Sequence, residues 1–93
     1  LFSWDEAKNA SNQRKHGVSF EMAALVFDDP LHLSRQDRIE GGELRWQTIG
    51  KAGNAVLLLV VHTWRDADDG EHIRIVSARR ATKLERTIYE QGN

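Results

Sequence analysis

Ala55–Val61 is apolar at every position, and no other feature of this 93-residue chain restricts the fold as strongly. The run is far short of the roughly 20 apolar residues that cross a bilayer, and too continuous for a strand with one wet face. Turn-forming residues close both ends: Gly50-Lys51-Ala52-Gly53-Asn54 before it and Asp66-Ala67-Asp68-Asp69-Gly70 after it. Such a run between such turns is a strand covered on both faces. Ala55–Thr63 is therefore expected at the centre of a sheet, with Val56, Leu58 and Val60 against helices.

The flanking segments supply the cover. Phe2-Ser3-Trp4 alternates as a short strand, and Asp5 is a plausible N-cap for a helix to about Lys15, stopped by Gly17. Ser19 caps a second helix over Phe20–Phe27, whose Phe20, Ala23, Ala24 and Phe27 recur at helical spacing. Asp28-Asp29-Pro30 ends it, because the residue before a proline is driven out of the α region. Leu31–Arg35 reads as a short strand, followed by a polar loop through Gly41-Gly42. Glu43–Ile49 alternates, with Leu44, Trp46 and Thr48 on one face, and His72–Ala78 alternates again. Thr82-Lys83-Leu84-Glu85 is a capping box that opens a last helix through about Gln91. The order β-α-α-β-β-β-β-α with short joins predicts one α+β domain over residues 1–93, its strands in an antiparallel meander.

Composition narrows the chemistry. There is no cysteine, which removes disulfides, thiolate zinc sites and cysteine nucleophiles. His16, His32, His62 and His72 form no HxH or HxxxH spacing. No metal or cofactor is expected, although His62 and His72 can approach across a hairpin. No nucleotide-binding glycine motif is present. No signal-peptide layout opens the chain, so a cytoplasmic protein without membrane contact is expected. The net charge of −1 speaks against a uniformly basic nucleic-acid binder. The charge is uneven, however: the middle is acidic, while the end carries Arg74, Arg79, Arg80, Lys83 and Arg86 against Glu85 and Glu90. That end is either a phosphate-attracting patch or an ordinary solvated helix.

The candidate residues sit where polar side chains interrupt apolar strands. The central strand ends His62-Thr63-Trp64-Arg65, and alternation puts His62 and Trp64 on one face, Thr63 and Arg65 on the other. In the next strand Ile73, Ile75, Ser77 and Arg79 form one set, and Arg74, Val76, Ala78 and Arg80 the opposite set. Arg79 and Arg80 stand where the sheet hands over to a helix N-terminus, which favours anions, and a guanidinium fork suits a phosphate. The alternative is that one of them pairs with Glu71 or Glu85 and only holds the corner. Lys15-His16 is a second cationic cluster, equally suited to complementing a helix dipole. Tyr89 either packs or brings a hydroxyl near the sheet, and at least two of Trp4, Trp46 and Trp64 are expected in the core. These parts suit RNA cleavage by its own 2′-hydroxyl, which needs a base, cations for the phosphorane charge and an acid for the leaving oxygen.

Several segments resemble the BrnT toxins. They are Trp4-Asp5-Glu6-x-Lys8, Asn12-x-x-Lys15-His16-Gly17-Val18-Ser19-Phe20, Phe27-Asp28-Asp29-Pro30, Glu43-x-Arg45-Trp46 and Ile49-Gly50, then Val61-His62-Thr63-x-Arg65, Ile73 through Thr82, Glu85-Arg86 and Tyr89-Glu90. The acidic loop at 66–70 is longer than the family's usual hairpin. The resemblance implies a RelE-like fold: an antiparallel sheet with two N-terminal helices and a C-terminal helix. It also implies a bacterial type II toxin–antitoxin system in which a metal-independent endoribonuclease stops translation. A BrnA-type antitoxin in a 2:2 complex would neutralise the toxin and alone carry it to operator DNA. On this footing Arg65, Arg79 and Arg80 are expected to bind phosphate, His62 or Lys15 to move protons, and Tyr89 to assist. The competing class is a non-catalytic RNA- or protein-binding module whose basic corner docks a partner.

Overall fold

The computed structural model describes residues 1–92. The chain runs β1 (Phe2–Ser3), α1 (Glu6–His16), α2 (Phe20–Ala24), a 3₁₀ turn (Leu25–Asp28), β2 (Leu33–Glu40), β3 (Glu43–Ala52), β4 (Val56–His62), β5 (Arg65–Ala67), β6 (Gly70–Arg80) and α3 (Lys83–Gln91). The expected caps are present. Asp5 accepts the Ala7 amide at 2.8 Å, Ser19 accepts Met22 at 3.0 Å, and Thr82 and Glu85 close the capping box on α3. The second helix is shorter than its apolar spacing suggests. Its last turn tightens into the 3₁₀ form as the chain leaves toward Asp29-Pro30.

The sheet order is β1-β6-β4-β3-β2, with β5 folded back on β6 as a hairpin. The meander through β2, β3, β4 and β6 is antiparallel as expected, but β1 pairs parallel with β6, so the sheet is mixed. The direction follows from what comes next: α1 continues along the same edge of β6 and docks further up it, at Ala78. Two segments read as loops are strands. β2 extends to Glu40 because Gly41-Gly42 is a two-residue turn with φ of 59° and 79°, the geometry that joins adjacent strands tightly. Residues 66–70, expected to be a turn, are mostly β: Arg65 pairs with His72 and Asp66 with Glu71.

β4 is central, and both of its faces are covered. Leu58 and Val60, with Val56 beside them, pack with Val18, Phe20, Ala23 and Val26 on the helical face. Leu57 and Leu59 pack with Ile49 and Tyr89 on the other. Gly50 lets the 3₁₀ turn lie directly on β3, since a Cβ there would stand 2.7 Å from Val26 Cγ1 and 3.1 Å from the Val26 carbonyl oxygen. The tryptophan expectation fails: Trp4 and Trp46 are half-buried and Trp64 is exposed, so none belongs to the buried core.

One departure from alternation changes which side chains share a face. Val61 pairs with Ser77 but His62 pairs with Ile75, leaving Val76 as a bulge in β6. Ile73, Ile75 and Ala78 therefore all enter the same core. Beyond the bulge the parity of β6 is reversed.

The helix α1 has almost no apolar stripe, and the residues it buries are Asn9 and Asn12. Asn12 takes the place of a neighbouring strand at the edge of β6. Its Nδ2 donates to the Ala78 and Val18 carbonyls, both at 2.8 Å, and its Oδ1 accepts the Ala78 amide at 3.2 Å. Asn9 accepts the Phe20 amide at 2.8 Å and donates to Glu21 at 2.9 Å. Removing such an amide strands buried backbone groups at roughly 1–3 kcal/mol. Asn12→Ala should lower the urea midpoint by the equivalent of about 2 kcal/mol, whereas exposed Ser11→Ala should leave it in place; equal midpoints would refute amide docking of α1.

Candidate functional site

The parity change in β6 gathers arginines on one face of the sheet. Arg79 pairs across from Leu59 and Arg80 from Leu58, so Arg79 lies on the α3 face and Arg80 on the helical face. Arg74, five residues before Arg79, shares the α3 face because of the bulge, and it meets Glu43 at 2.6 Å. Arg45 and Arg35 join from β3 and β2, on the face of Ile49 and Gln47.

Some of these cations are neutralised and others are not. Arg79 makes a two-pronged pair with Glu85, at 2.8 and 2.9 Å. This bond is the main cause that holds the Glu85 carboxyl below its usual range and raises Arg79. Arg45 reaches Glu40 at 3.3 Å, its side chain is only 14% exposed, and its Nε has no hydrogen-bond partner among the described residues. Arg35 donates to the neutral Gln47 amide, at 3.0 and 3.2 Å. For Arg65 no hydrogen bond or ion pair is found among the described residues, although its charge contributes to lowering the Asp69 carboxyl.

Arg65 and Arg74 line a cavity of about 290 Å³ together with Thr63, Trp64, His72 and Glu43. The His72 Nε2 meets Asp69 Oδ1 at 2.8 Å, which is the main cause that lowers Asp69. A histidine oriented by a carboxylate beside two guanidiniums has the parts for proton transfer next to a bound phosphate. No cluster of metal-ligating side chains forms among the described residues.

His62 is not in that cavity's wall. It is fully buried, packed edge-on to Phe27 at 4.9 Å, and both ring nitrogens are engaged. With Nδ1 donating to the Thr63 carbonyl at 2.9 Å, Nε2 accepts from the Thr48 hydroxyl at 2.7 Å, and Thr48 in turn accepts from Ser34 at 2.7 Å. Burial is the main cause that pushes its pKa below 6.5, so the ring stays neutral. It holds β2, β3 and β4 in register rather than offering a free base.

Tyr89 is also a bonded group. Its hydroxyl donates to Asp29 Oδ2 at 2.6 Å, and burial followed by that bond pushes its pKa up to about 12. Burial works against ionisation of Asp29, yet the Lys51 amide at 2.8 Å, the Tyr89 hydroxyl and the Leu31 amide at 2.9 Å outweigh it and leave the carboxyl lowered. Asp29 thereby ties α3 to the end of β3. Lys15 is exposed in the last turn of α1, and Arg80 is exposed on the helical face. Of the expected residues, Arg65 and Arg79 share the arginine face, while Arg80, Lys15 and His62 lie elsewhere. Arg35 and Arg45 were missed, Arg74 was named only within the basic end and His72 only beside His62, since their convergence depends on cross-strand register and the bulge.

The model of the BrnT family, described as the ribonuclease toxin of a type II toxin–antitoxin system, matches residues 4–85. The chain belongs to the BrnT toxin family. A crystal structure of the Brucella abortus ribonuclease toxin BrnT has the same fold, with a TM-score of 0.61 at 24% identity over 88% of this chain and 96% of that one. No protein with a curated description matches. The BrnT match takes in every expected site residue except Tyr89, which lies beyond its end. Among the described residues no helix is long and apolar enough to cross a membrane.

The state of His62 makes a testable statement about this BrnT chain. A folded pKa depressed below the unfolded 6.5 gives stability that is fully present above 6.5 and is lost as pH falls through the lower folded value. Urea midpoints should therefore decline from pH 7 to pH 5, and His62→Gln should show a shallower decline than the parent. Parallel declines would show that His62 is not held neutral by the fold.

Proposed function

We propose that this BrnT-family chain is a metal-independent endoribonuclease that cleaves RNA on the arginine-lined face of its sheet and thereby inhibits translation. The observation that carries this is the convergence of Arg65, Arg74 and His72 on one cavity, with Arg79 further along the same face. The 2′-oxygen attacks the neighbouring phosphorus and the P–O5′ bond breaks. One group takes the 2′-proton and another returns a proton to the 5′-oxygen, leaving a 2′,3′-cyclic phosphate, which becomes a 3′-phosphate end when water adds to phosphorus and the P–O2′ bond breaks. Arg65 and Arg74 hold the phosphate and its developing charge, and His72, oriented by Asp69, moves a proton. Arg79 uses part of its five-donor fork on Glu85 and keeps the rest for the RNA backbone. Buried His62 and Tyr89 act by holding the strands and α3 in place. Lys15 and Arg80 stay outside the reacting centre.

The family assignment brings an antitoxin partner, which we take to be BrnA-type in a 2:2 complex that acts in the cytoplasm. α3 mixes Lys83 and Arg86 with Glu85 and Glu90 and is no basic recognition helix, so operator DNA is left to the antitoxin. The fold is assigned to the RelE-like class on the same footing.

Purified protein and a single-stranded RNA, incubated with EDTA, test the reaction. Cleavage should persist with the chelator. Arg65→Ala should reduce the rate by about 100- to 1,000-fold, as loss of one transition-state contact does. Arg80→Ala, on the opposite face, should stay within a few-fold of the parent. Strict dependence on a divalent cation overturns the mechanism, and tight RNA binding without cleavage points instead to a docking module.

A further inference from the structure

Glu43 is the first residue of β3, set directly after the tight turn at Gly41-Gly42. The hairpin register places it opposite Glu40, a like-charge pairing that weakens a sheet. Its carboxylate reaches past the end of β4 to Arg74 on β6, with Oε1 accepting from Nη2 at 2.6 Å and Oε2 from Nη1 at 3.3 Å. Both side chains are close to half exposed, and an ion pair so wet contributes little to stability. Hairpin pairing and fold stability therefore leave a carboxylate at this position unexplained.

We propose that Glu43 is the general base of the RNA cleavage, taking the 2′-proton while His72 returns one to the 5′-oxygen. The proposal rests on the ribonuclease reading above and fills the proton-acceptor role that the reaction requires. Among the described residues, Glu43 supplies the only carboxylate in the lining of the cavity with Arg65, Arg74 and His72. Its bond engages one hydrogen on each Nη of Arg74 and leaves Nε–H and the outer Nη hydrogens for a phosphate. A phosphate held by that guanidinium is then a neighbour of the carboxylate. β4 lies between β3 and β6, so Glu43 and His72 come from opposite sides of its end. In-line displacement puts the attacking and leaving oxygens on opposite sides of phosphorus, and so asks for two proton carriers placed in this way.

The Arg74 bond is the main cause that holds the Glu43 carboxyl below its usual range, with the charge of Arg45 adding to it, so the group is ionised at neutral pH. The negative charge of an arriving phosphodiester acts in the other sense and raises its affinity for a proton. In the first step Glu43 takes the 2′-proton as O2′ bonds to phosphorus. The P–O5′ bond breaks, and the 5′-oxygen takes a proton from the His72 imidazolium. In the second step neutral His72 takes a proton from the attacking water, and the Glu43 carboxyl returns its proton to O2′ as the P–O2′ bond breaks.

The test uses the full chain and an RNA cut by the parent at a known position. The same RNA is also made with sulfur in place of the 5′-bridging oxygen, whose thiolate leaves without a proton, and with a 2′-deoxy sugar there, which cannot be cut. Glu43→Gln should keep the parent's urea midpoint, lose about 100- to 10,000-fold in kcat on both the oxygen and the sulfur linkage, and bind the 2′-deoxy strand at least as tightly as the parent. His72→Ala should lose rate on the oxygen linkage and recover most of it on the sulfur one. A Glu43→Gln rate within a few-fold of the parent overturns the proposal and leaves the ribonuclease reading intact. Equal losses of rate and of 2′-deoxy affinity overturn it too, since Glu43 would then only hold Arg74, as does recovery of Glu43→Gln on the sulfur linkage. A parent that cuts no RNA overturns the ribonuclease reading and the base with it. If Glu43→Gln fails to fold, Glu43→Asp decides by the same readouts: its carboxylate, withdrawn by one methylene, should lose rate on both linkages without losing affinity.

Discussion

Burial of β4 on both faces is the constraint from which the rest of the molecule follows. Its helical face is sealed by Val18, Phe20, Ala23 and Val26, and its other face by Tyr89 of α3 over Leu57 and Leu59. The second cover is small. α3 has nine residues, about 13 Å of helix, set against a ten-residue β3 that spans about 33 Å. One short helix cannot cap that face, so the uncovered remainder has to carry side chains that tolerate water. Arginine is suited to this, since its stem packs on the sheet while its head stays solvated or paired. The open face is thus a consequence of how little of the sheet the C-terminal helix hides.

Polar side chains, rather than apolar stripes, decide how the elements join. Asn12 completes the edge of β6 with an amide in place of a strand, and Asp29 gathers the Lys51 amide, the Leu31 amide and the Tyr89 hydroxyl. His62 closes a chain through Thr48 and Ser34. Each satisfies buried donors or acceptors that would otherwise cost about as much as a lost hydrogen bond. The polar atoms of His62 and Tyr89 are thereby engaged within the fold. Arg79 stands between the two cases, its charge shared between holding α3 through Glu85 and facing the open sheet.

Chain order, the position of β4, the caps at Asp5, Ser19 and Thr82, and the α+β class were legible in the residues alone, because each depends on neighbours within a few positions. The apolar run Ala55–Val61 forces a doubly covered strand whatever surrounds it, and the capping residues act within one helical turn. Tertiary structure decided the faces. The bulge at Val76 lets Ile73, Ile75 and Ala78 share a core, moves Arg79 to the side of Arg74 and puts Arg80 opposite, against strict alternation. It also decided that β1 runs parallel to β6, that Trp64 stays exposed, and that Arg65, Arg74 and His72 meet. These outcomes rest on pairings between strands, from the Arg65–His72 hairpin pair to the contact of β1 with β6 across the length of the chain. A register set by long-range hydrogen bonds leaves no periodic trace in the sequence, because a single extra residue reverses which face every later side chain occupies.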